Sequence, residues 1–165
     1  MGKRCSSPLT LKSLLMTAGF CAAATGVLAE CAEDTVGMRG AFGSAQFDVT
    51  VADTNDERAR GLMFVEQMDP MAGMLFVYER PQRVSFWMRN TLIPLDMVFV
   101  GADGVVDHIH PNAQPLDETP IFGGTDIQYV LELNGGMADR LGLAVGDEMQ
   151  HPSFAGEVAW PCGQN

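Results

Sequence analysis

Residues 85–100 read Ser85-Phe-Trp-Met-Arg-Asn-Thr-Leu-Ile-Pro-Leu-Asp-Met-Val-Phe-Val100. Two short apolar runs flank a polar centre containing Arg89, Asn90, Thr91, Pro94 and Asp96. Runs of this kind, rich in aromatic and β-branched residues and broken by a turn signal, read as strands. Paired as a hairpin, they would let Arg89 close one strand and Asp96 open the next, within reach of an ion pair across the turn. Trp87 would share a face with Arg89, because strand side chains repeat every two residues. A ring beside a guanidinium, a carboxamide and a carboxylate makes the mixed wall that small-ligand pockets use. The same residues are also explained, and more simply, if Arg89 and Asp96 only fix the turn and Trp87 only packs.

Working outward, the rest of the chain repeats the strand signal. Phe47, Val49 and Val51 alternate with polar neighbours as a half-buried strand does. Thr54-Asn-Asp-Glu57 has capping-box spacing and opens a short helix through about Met63, with Asp56 and Arg60 on its solvated face and Ala59, Leu62 and Met63 towards the core. Residues 73–78, 84–88, 95–100 and 105–109 are short apolar runs divided by Arg-Pro, Ile-Pro and Asp-Gly turns, and Asp103-Gly104 joins the last two. A polar loop spans 111–124. Tyr129, Leu131 and Leu133 alternate in a further strand. Residues 135–141 suit a second short helix, with Asn134 as its cap and Gly142 just past its end, and 147–150 a last strand. Many short strands with two minor helices predict a mainly-β single domain of sandwich or barrel-like class.

The ends set the surroundings. Lys3, Arg4 and Lys12 make the first residues positive, and no acid appears before Glu30. Leu14 to Ala24 is apolar, too short for an anchored span, and Val27-Leu28-Ala29 suits signal peptidase. Residues 1–29 therefore read as a cleavable signal peptide, with residues 30–165 as one exported, periplasmic or extracellular domain whose core covers about 36–152. Neither Cys21 nor Cys31 follows the small residue that a lipoprotein signal needs. The mature chain keeps seven arginines against 21 acids, a net charge of −14. That balance repels phosphate backbones and anionic lipid, which disfavours nucleic-acid partners and stable membrane insertion. Cys31 and Cys162 are the two cysteines left, and in an exported protein they most simply form one disulfide.

Several motifs in fixed order carry a resemblance. Glu57-Arg58-Ala-Arg-Gly61-Leu62-Met63, Gly73-Met74-Leu75-Phe76, Phe86-Trp87-Met88-Arg89-Asn90-Thr91, Pro94-Leu95-Asp96 and Gly146-Asp147 together resemble the domain of unknown function 192 family over about residues 45–150. The resemblance implies a compact β-sandwich or jelly-roll-like fold, often behind a signal peptide, and no established activity. It maps a ligand-binding site onto Met63, Trp87, Arg89, Asn90 and Asp96. The terminal cysteines fall outside its pattern.

Catalytic patterns are sparse. No serine sits in a Gly-x-Ser-x-Gly elbow, and the mature chain has no lysine for Schiff-base chemistry. A carboxylate pair for glycoside hydrolysis has no local spacing rule, so a hydrolase stays open. His108 and His110 share a strand face but lack a clear third metal ligand. Met68, Met71 and Met74, spaced by threes, suit Cu(I), although Asp69-Pro70 and Gly73 interrupt them and methionine also fills cores. No resident cofactor is indicated. The sequence thus favours a non-catalytic domain that binds a small ligand or an envelope component, with Cu(I) binding and hydrolysis as the alternatives.

Overall fold

A computed structural model describes residues 31–163. The leader assigned to residues 1–29 and its cleavage after Ala29 lie outside the described residues. Seven strands and two short helices follow in the order β1 (Thr35–Gly40), β2 (Gly43–Ala52), α1 (Asn55–Arg60), β3 (Ala72–Phe86), β4 (Leu95–Gly101), β5 (Val106–Ala113), β6 (Ile121–Asn134), α2 (Met137–Leu141) and β7 (Glu148–Gln150). The strands form one sheet in the order β5-β4-β6-β3-β2-β1-β7. Only β2 and β3 run parallel, and the link between them is long enough for the crossover that parallel pairing needs, with α1 within it. The sheet curls until its edges touch. Val105 bridges Glu148, and the Met149 N–H donates to the Gly104 carbonyl at 2.8 Å. The expected sandwich or barrel-like, mainly-β class is what the chain adopts.

Curling gives the sheet an inside and an outside, and both are buried. The inner cluster draws on every strand, including Met38, Phe47, Leu75, Val98, Val106, Leu131 and Met149. The outer cluster joins Ala52, Phe76, Val84, Met97, Phe99 and Val130 with Leu62 and Met88 from the connecting segments. Alternation therefore misleads on the central strands. Tyr129, Leu131 and Leu133 do face inward, but the outward residues Val130 and Glu132 are buried as well. A strand covered on both sides loses the solvent face that alternation assumes.

The hairpin expected across residues 85–100 does not form. β4 pairs with β5 and β6, whereas β3 pairs with β2 and β6, so β6 separates the two arms. Asp96 consequently does not meet Arg89. It is fully buried on the inner side, where its carboxylate accepts N–H groups from Asn112 (2.7 Å), Gly136 (2.9 Å) and Ala138 (2.7 Å). Two of those donors belong to the start of α2. Asp96 caps that helix from 40 residues away in sequence, while Asn134 instead donates to the Asp69 carbonyl at 2.8 Å. Gly142 closes α2 in the left-handed region, φ 80°, as its position predicts.

Two further differences have plain causes. The runs at 73–78 and 84–88 are one strand, because β3 carries Arg80-Pro81 through a bulge in which residues 77–82 face only 129–127 of β6. A bulge relieves proline of the N–H that a regular ladder would require. The segment after β7 is also packed rather than a loose tail. The Phe154 ring stacks on Tyr129 with centroids 3.9 Å apart, Arg39 lies 4.6 Å over Trp160, and Cys162 is bonded to Cys31 with their Cα atoms 5.6 Å apart. The expected disulfide thus ties the two ends of the described chain to each other.

Candidate functional site

A cavity of about 280 Å³ opens on the outer side of the sheet, between α1 with its following turn and the segment after β3. α1 is placed by its capping box. The Thr54 hydroxyl accepts the Glu57 N–H, and the Glu57 carboxylate accepts the Thr54 N–H at 3.0 Å. The helix stops at Gly61 (φ 50°, ψ −139°), a conformation open to glycine, and a side chain there would meet the Phe76 ring at 3.2 Å. The helix ends at Arg60, three residues short of Met63, and a turn continues through Phe64. Leu62 then turns into the outer core, Met63 is half-buried at the cavity, and Ala59, expected to face the core, is exposed.

The opposite wall is the turn Met88–Thr91, closed by the Thr91 N–H to the Met88 carbonyl at 3.0 Å. Asn90 takes its third position at φ 56°, which asparagine tolerates better than most residues. Its carbonyl accepts the Phe64 N–H at 2.8 Å, and its amide reaches the Met63 sulfur at 3.9 Å. Asn90 therefore ties the two walls together. Trp87 lines the cavity while remaining 45% exposed, and Arg89 lies over its ring at 5.0 Å. Phe64, on left-handed backbone at φ 66°, stands 64% exposed on the loop that Asn90 holds.

The structure thus brings Met63 and Trp87 to the lining of one cavity, with Asn90 bonded to Met63 and Arg89 over the Trp87 ring, neither of them in the lining itself. Asp96 is apart from them, because neighbouring strand positions point to opposite faces and its own faces inward. Sequence reasoning did not assign Arg58, Arg60, Tyr78, Thr91 or Glu132 to the cavity they line. Glu132 had a visible signal, a lone acid inside the apolar run Tyr129-Val-Leu-Glu-Leu133.

Glu132 is the chemically distinctive group. It is only 4% exposed, and its Oε2 has no hydrogen-bond partner. Across the ladder it is opposed by Met74 and Met97, which offer it no donor. Burial alone pushes its pKa up to about 8, so at neutral pH the group is mostly a neutral acid. Nearby, burial raises the Tyr78 phenol, an effect that Arg58 counters and Glu132 adds to. The Arg58 guanidinium lies 5.1 Å from the Tyr78 ring and is occupied by the carbonyls of Asp53 and Val77 and by Asn55 Oδ1. A larger hollow beside the β3 bulge, about 500 Å³, is lined by Asn55, Arg58, Tyr78, Glu79, Arg80 and Gln82 and holds no such unpartnered group.

The metal alternatives find little geometry. His108 stacks on Phe99 at 5.7 Å, and Met68 and Met74 pack on the outer core while Met71 is exposed. Among the described residues no three His, Cys, Asp or Glu side chains come together as a metal site. No helix among them is long and apolar enough to cross a membrane.

Fold and cavity together define a curled, mainly-β domain with a small, enclosed acid on its outer face. The family model DUF192, described as "Uncharacterized ACR", matches residues 38–151, and the chain belongs to that family. Among solved structures it is similar to a protein of unknown function from Novosphingobium aromaticivorans DSM 12444, with 44% identity, a TM-score of 0.68, and coverage of 70% of this chain and 82% of that one. It is also similar to a protein from Sinorhizobium meliloti 1021 provisionally described as a transcription regulator, with 40% identity, a TM-score of 0.69, and coverage of 73% and 94%. No curated protein matches the chain.

Proposed function

We propose that this protein is exported and binds a small molecule, without catalysis, in the cavity between α1 and the Trp87–Thr91 wall. One observation carries the reading: a buried carboxyl group with an unpartnered oxygen forms part of an aromatic-lined cavity. An unsatisfied buried polar atom costs about 1–3 kcal/mol, and a ligand that supplies its partner recovers that cost. Apolar walls with few convergent polar groups are the usual make-up of small-ligand sites. Both described cysteines are bonded to each other, which suits an oxidising compartment and agrees with reading residues 1–29 as a signal peptide. The acidic balance argues against a nucleic-acid role, whatever the Sinorhizobium relative does.

A thermal-shift screen with sugars, short peptides and amino acids tests the site. Binding compounds should raise Tm, and Trp87→Ala and Glu132→Gln should each abolish that rise. A rise that survives both substitutions would move the site elsewhere. For export, the intact mass of native protein should correspond to a chain beginning at Glu30.

A further inference from the structure

We propose that the cavity takes a zwitterionic amine of amino-acid size, with its ammonium paired to Glu132 and its carboxylate to Arg60. This deepens the binding reading above and rests on it. Both arginines of α1 line the cavity, but they differ in what they do. Arg58 is spent on Asp53, Val77 and Asn55, whereas Arg60 has no hydrogen bond or ion pair among the described residues. The cavity therefore carries a buried acid with an unpartnered oxygen and an exposed arginine that no protein group holds.

Simpler ligands fit this lining less well. A plain amine would suit Glu132 but would sit among two guanidinium groups. A plain anion would suit Arg60 but would be disfavoured by the net charge of −14 on residues 30–165 and would leave Glu132 without a cationic partner. A zwitterion satisfies both groups, and a guanidinium is well shaped to hold a carboxylate by two N–H bonds. The rings of Phe76, Tyr78, Phe86 and Trp87 line the same space, and aromatic faces attract an ammonium group. Size points the same way: about 280 Å³ lies just below the ~300–1,000 Å³ common for drug-sized ligands.

Binding has a proton signature. The titratable groups facing Glu132 across the cavity are Arg58 and Arg60 from α1 and Tyr78 from β3, and neither β4 nor the Trp87–Thr91 wall adds one to the lining. Glu132 is mostly protonated when the cavity is empty at pH 7, and an ammonium partner favours its ionised form. The acid's proton then passes to buffer as the ammonium docks, close to one proton for each ligand bound.

Isothermal titration of the purified protein at pH 7, in two buffers of different ionisation enthalpy, tests this with the twenty standard L-amino acids, their N-acetyl forms and their carboxamides. We expect at least one parent amino acid to bind with release of nearly one proton. N-acetylation should weaken it 30-fold or more, and amidation tenfold or more. In Glu132→Gln the parent amino acid should bind no better than its N-acetyl form does to the wild type, without proton release, and in Arg60→Gln no better than its amide does. Equal binding of the blocked forms, or no proton release, overturns the zwitterion while leaving the cavity a binding site. So does a silent panel when some other compound raises Tm through Trp87. Silence of both the panel and the wider screen overturns both readings.

Discussion

Asp96 and Glu132 are both buried acids, and they sit next to each other in the sheet. Asp96 pairs with Leu133 in the β4–β6 ladder and Glu132 with Met97, so one step along the strands separates them. That step sends their side chains to opposite faces. Asp96 enters the inner core and receives three backbone N–H groups, two of them from the exposed-donor end of α2. Glu132 enters the outer cavity and leaves an oxygen with none. A buried acid that the chain fully satisfies works as a structural joint, and one left unsatisfied marks a place for something else.

The sharpest way to break this contrast is to remove the joint. Asp96→Ala strands three donors, two of them at the start of a helix, and should lower unfolding free energy by on the order of 4 kcal/mol. Chemical denaturation would check it, and a loss below about 1 kcal/mol would mean that α2 finds other partners. The disulfide comes next. Replacing Cys31 and Cys162 by serine opens a link across 131 residues and should cost roughly 3–5 kcal/mol, the upper end being the loop-entropy value. The same denaturation curve, run with and without reductant on the wild type, gives an independent value.

Glu132 should show the opposite behaviour: a pH dependence without a structural collapse. The folded chain holds this proton up to about pH 8, while the unfolded chain releases it near 4.5. Between those values the folded state binds more protons, so stability is greatest on the acid side and falls as pH rises, by about 1.4 kcal/mol per unit from this group. His151 adds a separate slope at lower pH, because burial lowers its pKa and the unfolded chain is protonated first. The difference between wild type and Glu132→Gln cancels that term. A flat difference from pH 5 to 8 would show that the carboxyl is solvated and the contrast with Asp96 is false.

What the sequence revealed follows from how local the cause is. The Thr54–Glu57 box, the Gly142 stop and the Asp103-Gly104 turn depend on a few adjacent residues, and they were legible. The cysteine pair was legible because only two remain when residues 1–29 are read as a leader. The partner of Asp96 was not, since its donors arrive from residues 112, 136 and 138 through strand order that β6 imposes. The lone acid in the apolar run 129–133 was visible, but the burial of Glu132 was set by the same topology. Alternation at Tyr129, Leu131 and Leu133 implies a wet opposite face, and only a curled sheet with a second, outer core buries it. The family motifs around Met63, Trp87 and Asn90 marked two walls of the cavity without revealing its floor.

The smallest effect tests whether the outer cavity is held as firmly as the inner joint. Gly61 ends α1 at φ 50° and ψ −139°, where a Cβ is strained whatever room it has. Here it would also press on Phe76 at 3.2 Å, a ring that lines the cavity. Gly61→Ala should therefore cost about 1–2 kcal/mol. Its second consequence distinguishes the regions: as the turn shifts, the Phe64–Asn90 and Asn90–Met63 links across the two walls should loosen. Amide exchange should then quicken at Phe64 and Thr91, while Gly136 and Ala138, held by Asp96, exchange as before. Equal quickening at all four would show that the two faces of the sheet open as one unit, and that satisfaction of one acid is not independent of vacancy at the other.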